Sequence, residues 1–463
     1  EGPAWSLKIV STSLLPRLHW KGAFAPGVSR DDVDGLTPRL KAGANVLSTG
    51  SRERLAGYGW IRLPYEDPAG ILAAGAILSE SDAIVQIGIG GSALGNRMLH
   101  SALLPPYWNE LPTAVRRRPR FFMSDNPDPQ DVETIWRLLD PARTDFIVVS
   151  KSGSTAETMA NFLFFRGKME ETFGPGAASR RFVVITDRKQ GCLRPFVDET
   201  GCRSLVLPSD VGGRFWVLSS VGLLSAATLG IDVRSLLAGA AAMADLVVSA
   251  ETPEENPAWM ISALSLLHAE SGRNMNVVMP YADALERFVE WFAQLWGESL
   301  GKKGMGSTPV RALGAIDQHS QIQMYTEGPD DKLFTIVSVA EPARDIAIPS
   351  APERSLEDIA YLFGSSLHTL LSYEARSTAA AILKAGKPVL FLEIPALGAF
   401  SLGSLVFLYE YATALTGILM EIDPFDQPGV EQGKRYIYGL MGKKGFGQEA
   451  EEALSLERRF RVS

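Results

Sequence analysis

The chain has 463 residues, of which 46% are hydrophobic and 21% charged, a composition that predicts a folded protein of two or three domains. Its net charge of −8 argues against a nucleic-acid surface. With only Cys192 and Cys202, neither a disulfide framework nor a cysteine-rich metal site is expected, and a reducing compartment, the cytoplasm, is predicted. The first residues, beginning at Glu1, lack the basic and apolar regions of a signal peptide.

Strands and helices are predicted to alternate along most of the chain after a mixed, weakly helical start. The first series comprises strand 83–89, a helix ending near 100, strand 120–123, helix 130–139, strand 145–149, helix 155–169 and strand 182–185. Helices 216–229 and 233–249 follow, with a boundary near 229–232. The second series comprises helix 257–270, strand 274–279, helix 283–300, strand 333–339, helix 355–383, strand 389–394 and helix 429–440, before a charged tail at 449–461. This α/β pattern predicts two doubly wound, mostly parallel sheets flanked by helices, with ligands at the carboxyl ends of the strands.

The segment 396–420 is long and apolar enough to imitate a membrane span. Glu410 lies near its centre, where a charge would be costly in lipid, and a strand-like run directly precedes the segment. We therefore expect a helix buried inside a domain and no contact with a membrane.

A loop rich in hydroxyl groups follows the predicted strand 145–149. It reads Ser-Lys-Ser-Gly-Ser-Thr-Ala-Glu-Thr over residues 150–158 and leads into a helix. Hydroxyl groups and free N–H groups at a helix N-terminus suit a phosphate monoester, and the Walker pattern for a nucleotide with magnesium is absent. The alternative is a capped helix start without a ligand, because Ser154 and Glu157 have capping-box spacing.

The sequence Gly-Ile-Gly-Gly-Ser-Ala-Leu-Gly at 88–95 follows the first strand and resembles a dinucleotide fingerprint. The fingerprint also requires an acidic residue about 20 residues further on, and the nearest candidate, Asp125, lies well beyond that spacing. A tight turn without a ligand is the structural alternative. We expect this loop and the loop at 150–155 to form two walls of one small-anion site.

Two charged residues stand in settings that favour chemistry. Arg214 follows two glycines directly before a predicted helix, which would present a fixed cation to a carboxylate, a phosphate or a developing negative charge. Without the rest of the pattern, a surface ion pair would be the favoured explanation. Glu298 shares a helix face with Gln294 near the end of an apolar helix, so a partly desolvated carboxylate able to act as a general base is predicted. Pairing with Lys302 or Lys303 is the rival explanation.

His319 lies in a polar segment that we interpret as a loop, and it is the candidate acid–base histidine. His100, His268 and His368 fall within helical patterns and are expected to be packing or surface residues. No histidine pair has metal-ligand spacing, so no zinc site is predicted. Lys434 lies one turn inside a helix that begins at Pro428 and Gly429, where it would meet a substrate or remain exposed.

Six segments, in this order, resemble the phosphoglucose isomerase family in its shorter bacterial form. They are GIGGSALG at 88–95, SKSGSTAET at 150–158, GGRF at 212–215, QLWGESLGK at 294–302, QHSQ at 318–321 and FDQPGVEQGK at 425–434. The resemblance implies two sugar-isomerase (SIS) domains, at 59–230 and 231–463, with an N-terminal helical segment at 1–58 packed on them. It also implies a homodimer, no cofactor, and interconversion of glucose 6-phosphate and fructose 6-phosphate in glycolysis and gluconeogenesis.

The resemblance also implies roles for particular residues of the motifs. Glu298 would move the proton between C1 and C2 through an enediolate, with Arg214 beside that enediolate, while His319 from the partner subunit and Lys434 would assist ring opening. The remaining residues would bind the phosphate and the sugar: Gly91, Ser92, Ser150, Lys151, Ser152, Thr155, Glu157, Gly213, Gln294 and Gln427.

The sequence departs from the family pattern at a few positions. Ser152 and Ser154 replace threonines and keep the hydroxyl group, whereas Trp216 and Pro428 change the bulk near the predicted site, which bears on whether mannose 6-phosphate is also accepted.

Two other function classes compete with the isomerase. An SIS regulator that binds a sugar phosphate without converting it would keep the phosphate loop but need not keep the base, arginine, histidine and lysine together. A nicotinamide-dependent dehydrogenase is disfavoured by the missing ribose-binding acid.

Overall fold

The computed structural model describes residues 12–351 and 353–460, and within these ranges the chain forms ten strands and eighteen α-helices joined by loops and short 3₁₀ turns. The strands are β1 Arg17–His19, β2 Ala83–Ile87, β3 Arg120–Ser124, β4 Thr144–Val149, β5 Phe182–Thr186, β6 Arg203–Val206, β7 Met275–Pro280, β8 Thr308–Arg311, β9 Lys332–Glu341 and β10 Val389–Ala396. The first nine helices are α1 Arg30–Gly35, α2 Thr37–Arg52, α3 Ala69–Leu78, α4 Leu94–Leu103, α5 Thr113–Arg116, α6 Pro129–Leu138, α7 Ala156–Phe173, α8 Ala177–Arg181 and α9 Leu193–Thr200. The others are α10 Ser220–Thr228, α11 Val233–Ser249, α12 Pro257–Glu270, α13 Glu286–Leu300, α14 Ile316–Glu327, α15 Leu367–Lys384, α16 Ala399–Leu419, α17 Pro428–Leu440 and α18 Gly447–Glu457.

The first sheet has the strand order β3-β2-β4-β5-β6, and every pair in it is parallel. Strands β2, β4 and β5 are buried along their whole length, as expected for parallel strands that helices cover on both faces. The chain moves from β2 outward to β3 and then returns to pair β4 on the other side of β2. This reversal places the loops after β2 and β4 at the switch point, where α/β sheets bind ligands.

The second sheet has the strand order β1-β10-β9-β7-β8, in which only β1 runs antiparallel to its neighbour. Helices flank both sheets, so the predicted fold class of two mostly parallel α/β sheets is confirmed. The described part of the segment 1–58, which was expected to be helical, contains α1 and α2, and it also contains β1, which pairs with β10.

Helix α16 is the apolar segment that imitates a membrane span, and 94% of its most apolar window is buried inside the protein. It packs against α11, α12 and α13 within one continuous apolar core. Glu410 is 0% exposed, and burial raises the pKa of its carboxyl well above the usual value. The prediction of a buried core helix is confirmed.

Several predicted elements differ from the structure in ways that have local causes. The helix predicted over 355–383 is broken: a 3₁₀ turn at Arg354–Leu362 precedes α15, whose N-cap Ser366 accepts a hydrogen bond from Thr369 N–H. Helix α10 begins at Ser220 rather than 216, because Ser219 caps it. The short strands β6 and β8, of four residues each, were not predicted.

Candidate active site

The hydroxyl loop that follows β4 is folded tightly by its own side chains. Ser150 is 3% exposed, and its Oγ accepts a hydrogen bond from Gly153 N–H at 3.0 Å. The Oγ of Ser152 accepts from both Ser154 N–H, at 3.2 Å, and Ser154 Oγ, at 2.7 Å. These bonds hold three serine side chains along a short stretch at the carboxyl end of the sheet.

Helix α7 begins immediately after this loop without a side-chain cap. Its N-cap is Thr155, and no side-chain capping hydrogen bond forms there. The capping box between Ser154 and Glu157 is therefore wrong as an explanation of the sequence, although Glu157 does lie in the first turn of the helix. Since the first N–H groups of a helix carry its positive dipole end and need acceptors, this uncapped start is suited to an anion.

The glycine loop after β2 contacts the turn that carries Arg214. A Cβ atom added to Gly91 would lie 2.2 Å from the carbonyl oxygen of Gly213, a distance that no side chain permits. A Cβ on Gly90 would lie 2.9 Å from Nε2 of Gln294. The glycines thus allow three segments that are far apart in the sequence to meet. Ser92, in the same loop, is buried.

Arg214 lies at the centre of this meeting point and is 2% exposed, so the interpretation as a surface ion pair is wrong. Its Nε donates to Ser299 Oγ at 2.7 Å, and its Nη2 donates to the carbonyls of Pro424 and Asp426 at 2.6 and 2.9 Å. Its Nη1 donates to Glu298 Oε2 at 3.3 Å and to Gln427 Oε1 at 3.2 Å. Burial lowers the pKa of the guanidinium, and Glu298 opposes that shift.

Glu298 is held from both sides and remains partly accessible. Its Oε1 accepts a hydrogen bond from Gln294 Nε2 at 2.9 Å, its Oε2 faces Arg214, and its side chain is 25% exposed. The predicted rivals bind elsewhere: Lys302 pairs with Asp426 at 2.7 Å, and Lys303 donates to the carbonyl of residue 421 at 3.4 Å. Glu298 is therefore a positioned carboxylate whose cationic partner is an arginine.

Asp125, the acid considered for a dinucleotide fingerprint, is occupied by another interaction. Both of its carboxylate oxygens accept hydrogen bonds from Arg97, at 2.6 and 2.7 Å. It therefore does not present a free carboxylate to a ribose, in agreement with its unsuitable spacing.

Helix α17 connects the surroundings of Arg214 to the hydroxyl loop. At its start the side chain of Gln427 contacts Arg214, and near its end the hydroxyl group of Tyr438 donates to the carbonyl of Ser154 at 2.9 Å. Positions 427, 434 and 438 share a helix face by their spacing. Lys434, between the two contacts on that face, is paired with Glu431 at 2.7 Å. Lys434 is therefore part of the helix that reaches both Arg214 and Ser154, but it makes no direct contact with Glu298.

His319 lies apart from this cluster within the chain. The segment predicted as a polar loop is in fact the first turn of α14, and His319 is exposed there. The neighbouring Gln318 accepts hydrogen bonds from Tyr281 and Thr378 and faces the protein instead.

The other histidines behave as packing residues. His100 packs edge-on against Phe121 with ring centroids 3.9 Å apart, and burial lowers its pKa to about 3. His268 is 0% exposed, its Nε2 lies 2.8 Å from the carbonyl of Ala23, and burial lowers its pKa to about 4. The prediction that these two residues pack in the fold is confirmed.

Two predicted residues have structural contacts that differ from simple ligand binding. Lys151 Nζ donates to the carbonyl of Ser209 at 3.0 Å, which ties the hydroxyl loop to the segment before Arg214. Trp216 is 6% exposed, its Nε1 donates to the carbonyl of Val211, and its ring packs beneath Gly213. Trp216 therefore packs against the turn that carries Arg214 and stabilises it.

Sequence reasoning missed four contributors to the site. The Ser299 hydroxyl and the carbonyls of Pro424 and Asp426 bind Arg214, and Tyr438 binds the hydroxyl loop. Ser299 directly follows Glu298 and Pro424 directly precedes the last motif, so proximity in sequence was an available signal. The spacing of Tyr438 from Gln427 and Lys434 on one helix face was another.

Comparison with known proteins gives one consistent family. The profile described as "Phosphoglucose isomerase" matches residues 72–315 and 371–444. A glucose-6-phosphate isomerase of Rubrobacter xylanophilus is 44% identical over 425 residues, which is 91% of this chain and 96% of the relative. A glucose-6-phosphate isomerase of Carboxydothermus hydrogenoformans is 36% identical over 96% of this chain and 98% of its own.

Solved structures resemble the fold over nearly the whole chain. A hypothetical protein of Thermus thermophilus aligns with a TM-score of 0.84 and 35% identity, covering 92% of this chain and 100% of that one. A glucose-6-phosphate isomerase of Chlamydia trachomatis aligns with a TM-score of 0.77 and 22% identity, covering 96% of this chain and 92% of that one, a likeness of fold.

Proposed function

The chain belongs to the phosphoglucose isomerase family, and on that premise we propose how its residues interconvert glucose 6-phosphate and fructose 6-phosphate. The reaction is an aldose–ketose isomerisation. The observation that carries the assignment of residues is the pairing of Glu298 with Arg214 at 3.3 Å beside the glycine loop, with the phosphate loop at the neighbouring strand.

The phosphate group binds at the start of α7. The hydroxyl groups of Ser150, Ser152 and Thr155 and the uncapped N–H groups of the helix supply hydrogen-bond donors, with Lys151 as the nearby cation. The sugar then extends toward Gly91, Ser92 and Gln294. Binding the unreactive end of the substrate holds C1 and C2 against the carboxylate and lowers the entropic cost of the reaction.

Ring opening comes first, because the cyclic sugar has no free carbonyl group. A proton moves from the anomeric hydroxyl, and another moves to the ring oxygen. We assign these transfers to Lys434, on the α17 face that spans the site, and to His319, supplied by a partner subunit.

Proton transfer between the two carbons follows. Glu298 removes the proton from C2 of the open aldose, and the electrons form the C1–C2 double bond of an enediolate whose negative charge lies on O1. A proton then passes from the C2 hydroxyl to O1, the C2 carbonyl forms, and Glu298 returns its proton to C1. Before the transfer, the charges of Glu298 and Arg214 compensate each other. After it, the protonated carboxyl is neutral, and the positive charge of Arg214 is left to stabilise the enediolate.

A homodimer is the assembly that this scheme requires, because His319 is exposed and outside the cluster within one chain. The 3₁₀ turn at Arg354–Leu362 supports it: among its described residues none is buried, and the apolar side chains of Leu356, Ile359 and Tyr361 are 36%, 40% and 79% exposed. An exposed apolar segment of this kind is suited to a subunit interface. The division at 1–58, 59–230 and 231–463 and the cytoplasmic location remain predictions.

The test is to mix the pure protein with fructose 6-phosphate without added metal and to measure glucose 6-phosphate. We expect product. Tight binding of fructose 6-phosphate without product would instead favour the regulator that binds sugar phosphates without converting them.

A further inference from the structure

A cavity separate from the active site lies at the end of the first sheet where its strands begin. It has a volume of about 690 Å³ and is lined by the residues that precede β2 and β3. The phosphate loop and the glycine loop follow the carboxyl ends of β4 and β2, whereas this cavity lies at the amino ends of the strands. A ligand there would leave the active site open.

Four arginines line this cavity within five positions of the sequence: Arg116, Arg117, Arg118 and Arg120. Such a concentration is exceptional in a chain with a net charge of −8. Among the described residues, none of the four has a carboxylate within the 4.0 Å of an ion pair. The charges of Arg116 and Arg120 act on Asp82 of the same wall, but four guanidinium groups outnumber the two carboxylates of the lining, Asp82 and Glu80, so the cluster keeps an excess of positive charge.

Arg116 is the clearest member because it is buried, at 8% exposure. Its Nε and Nη1 donate to the carbonyls of Arg118 and Leu111, both at 2.7 Å, which fixes the guanidinium without neutralising it. Burial and the nearby charge of Arg120 lower the pKa of Arg116, and the charge of Asp82 opposes that shift without reversing it. A bound anion would remove this repulsion.

The acidic groups on the cavity wall do not neutralise the cluster. Asp82 is engaged by Arg143, at 2.5 and 2.7 Å, and its pKa is lowered chiefly by that hydrogen-bonded pair. Glu80 is the other carboxylate of the lining. Two carboxylates against four arginines, with one carboxylate already paired to a fifth, leave the cavity positive. Ser79, Ser81 and Thr113 add hydroxyl groups to the same wall.

We propose that this cavity is a binding site for a small metabolite that carries at least two phosphate groups. One guanidinium group donates two parallel hydrogen bonds to a pair of phosphate oxygens. Four guanidinium groups therefore exceed what one phosphate monoester can engage. The volume is within the range of small-molecule sites, and a mostly polar wall suits a polyanion better than an apolar ligand.

The experiment measures the binding of pyrophosphate to the full chain by calorimetry, with the active site saturated by fructose 6-phosphate. Inorganic phosphate, measured in parallel, should bind more weakly. The variant R117Q/R118Q changes two exposed arginines of the cavity, and R52Q/R137Q removes the same charge from two exposed arginines elsewhere. We expect the cavity variant to lose affinity for pyrophosphate by about tenfold or more, since hydrogen bonds to charged groups are lost.

The control variant should bind pyrophosphate as the parent protein does, and both variants should isomerise fructose 6-phosphate at the parent rate. Either of two results would overturn the proposal: no pyrophosphate binding once fructose 6-phosphate is saturating, or equal losses of affinity in both variants. Since the isomerase assay is separate, a failure here leaves the function of the active site unaffected.

Discussion

Replacing Glu298 by glutamine is the most direct test of the proposed base. Glutamine keeps the size and an acceptor oxygen toward Arg214 but cannot take a proton from carbon. A positioned general base contributes about 10²–10⁴-fold to the rate, so kcat should fall by that factor, equivalent to about 3–5 kcal/mol in activation free energy. The Michaelis constant should change little, because the hydroxyl loop that we propose as the phosphate site belongs to other elements.

Stability should also change little in this variant. Arg214 keeps its hydrogen bonds to Ser299 and to the carbonyls of Pro424 and Asp426, so its guanidinium is not left without acceptors. The assay couples glucose 6-phosphate formation to absorbance and is accompanied by thermal unfolding. The matched control is Glu286→Gln, an exposed glutamate in the first turn of the same helix, which should keep full activity. A Glu298→Gln variant with near-parental kcat would refute the assignment of the base.

Three further outcomes are expected. Tyr438→Phe removes one hydrogen bond to Ser154, worth about 0.5–1.5 kcal/mol, so KM for fructose 6-phosphate should rise by about two- to tenfold with kcat nearly unchanged; an unchanged KM would contradict the role of this contact. Gly91→Ala places a methyl group 2.2 Å from the Gly213 carbonyl oxygen, so the loop must move and kcat should fall by about 10²-fold; parental kinetics would contradict the close approach. Burial lowers the pKa of His268 to about 4, so the unfolded chain binds the proton more readily, and the free energy of unfolding should decrease as the pH falls from 6.5 toward 4, by about 3 kcal/mol. Denaturant titrations of the parent and of His268→Gln test this, since the variant should lose less stability over that range.

Local signals made parts of the fold predictable. Helices α11 and α12 were predicted from their long apolar patterns with the bounds that the structure has, and in the structure the side chains of Asp232 and Asn256 cap their N-termini. Strands β6 and β8 were missed because they have four residues and little alternation. The break before α15 had a signal that was overlooked: Gly364 has φ +76°, a conformation that interrupts a helix.

The candidate site was predictable in its residue types but not in its connections. The motifs indicated Arg214, Glu298 and Gln294, yet the burial of Arg214 depends on carbonyls that lie 210 and 212 residues away. Backbone carbonyls occur at every position, so no residue type marks the ones that will serve as acceptors. The helix around His319 was missed because its polar residues lack an apolar period, and only Tyr325 is buried in that helix.

The distances in sequence that Arg214 spans also bear on how the protein is made. Its guanidinium joins Ser299, 85 residues later, and Gln427, 213 residues later, so these bonds close only after nearly the whole chain has left the ribosome. Until then the carbonyls of Pro424 and Asp426, which accept hydrogen bonds from the guanidinium in the folded protein, are not available to it. Domains generally fold during synthesis from the N-terminal side, and contacts this distant form late because loop closure must come first. The nascent enzyme therefore acquires its catalytic centre as one of its last folding events, and a prematurely ended chain that lacks residues 424–427 would be inactive even with its first sheet assembled.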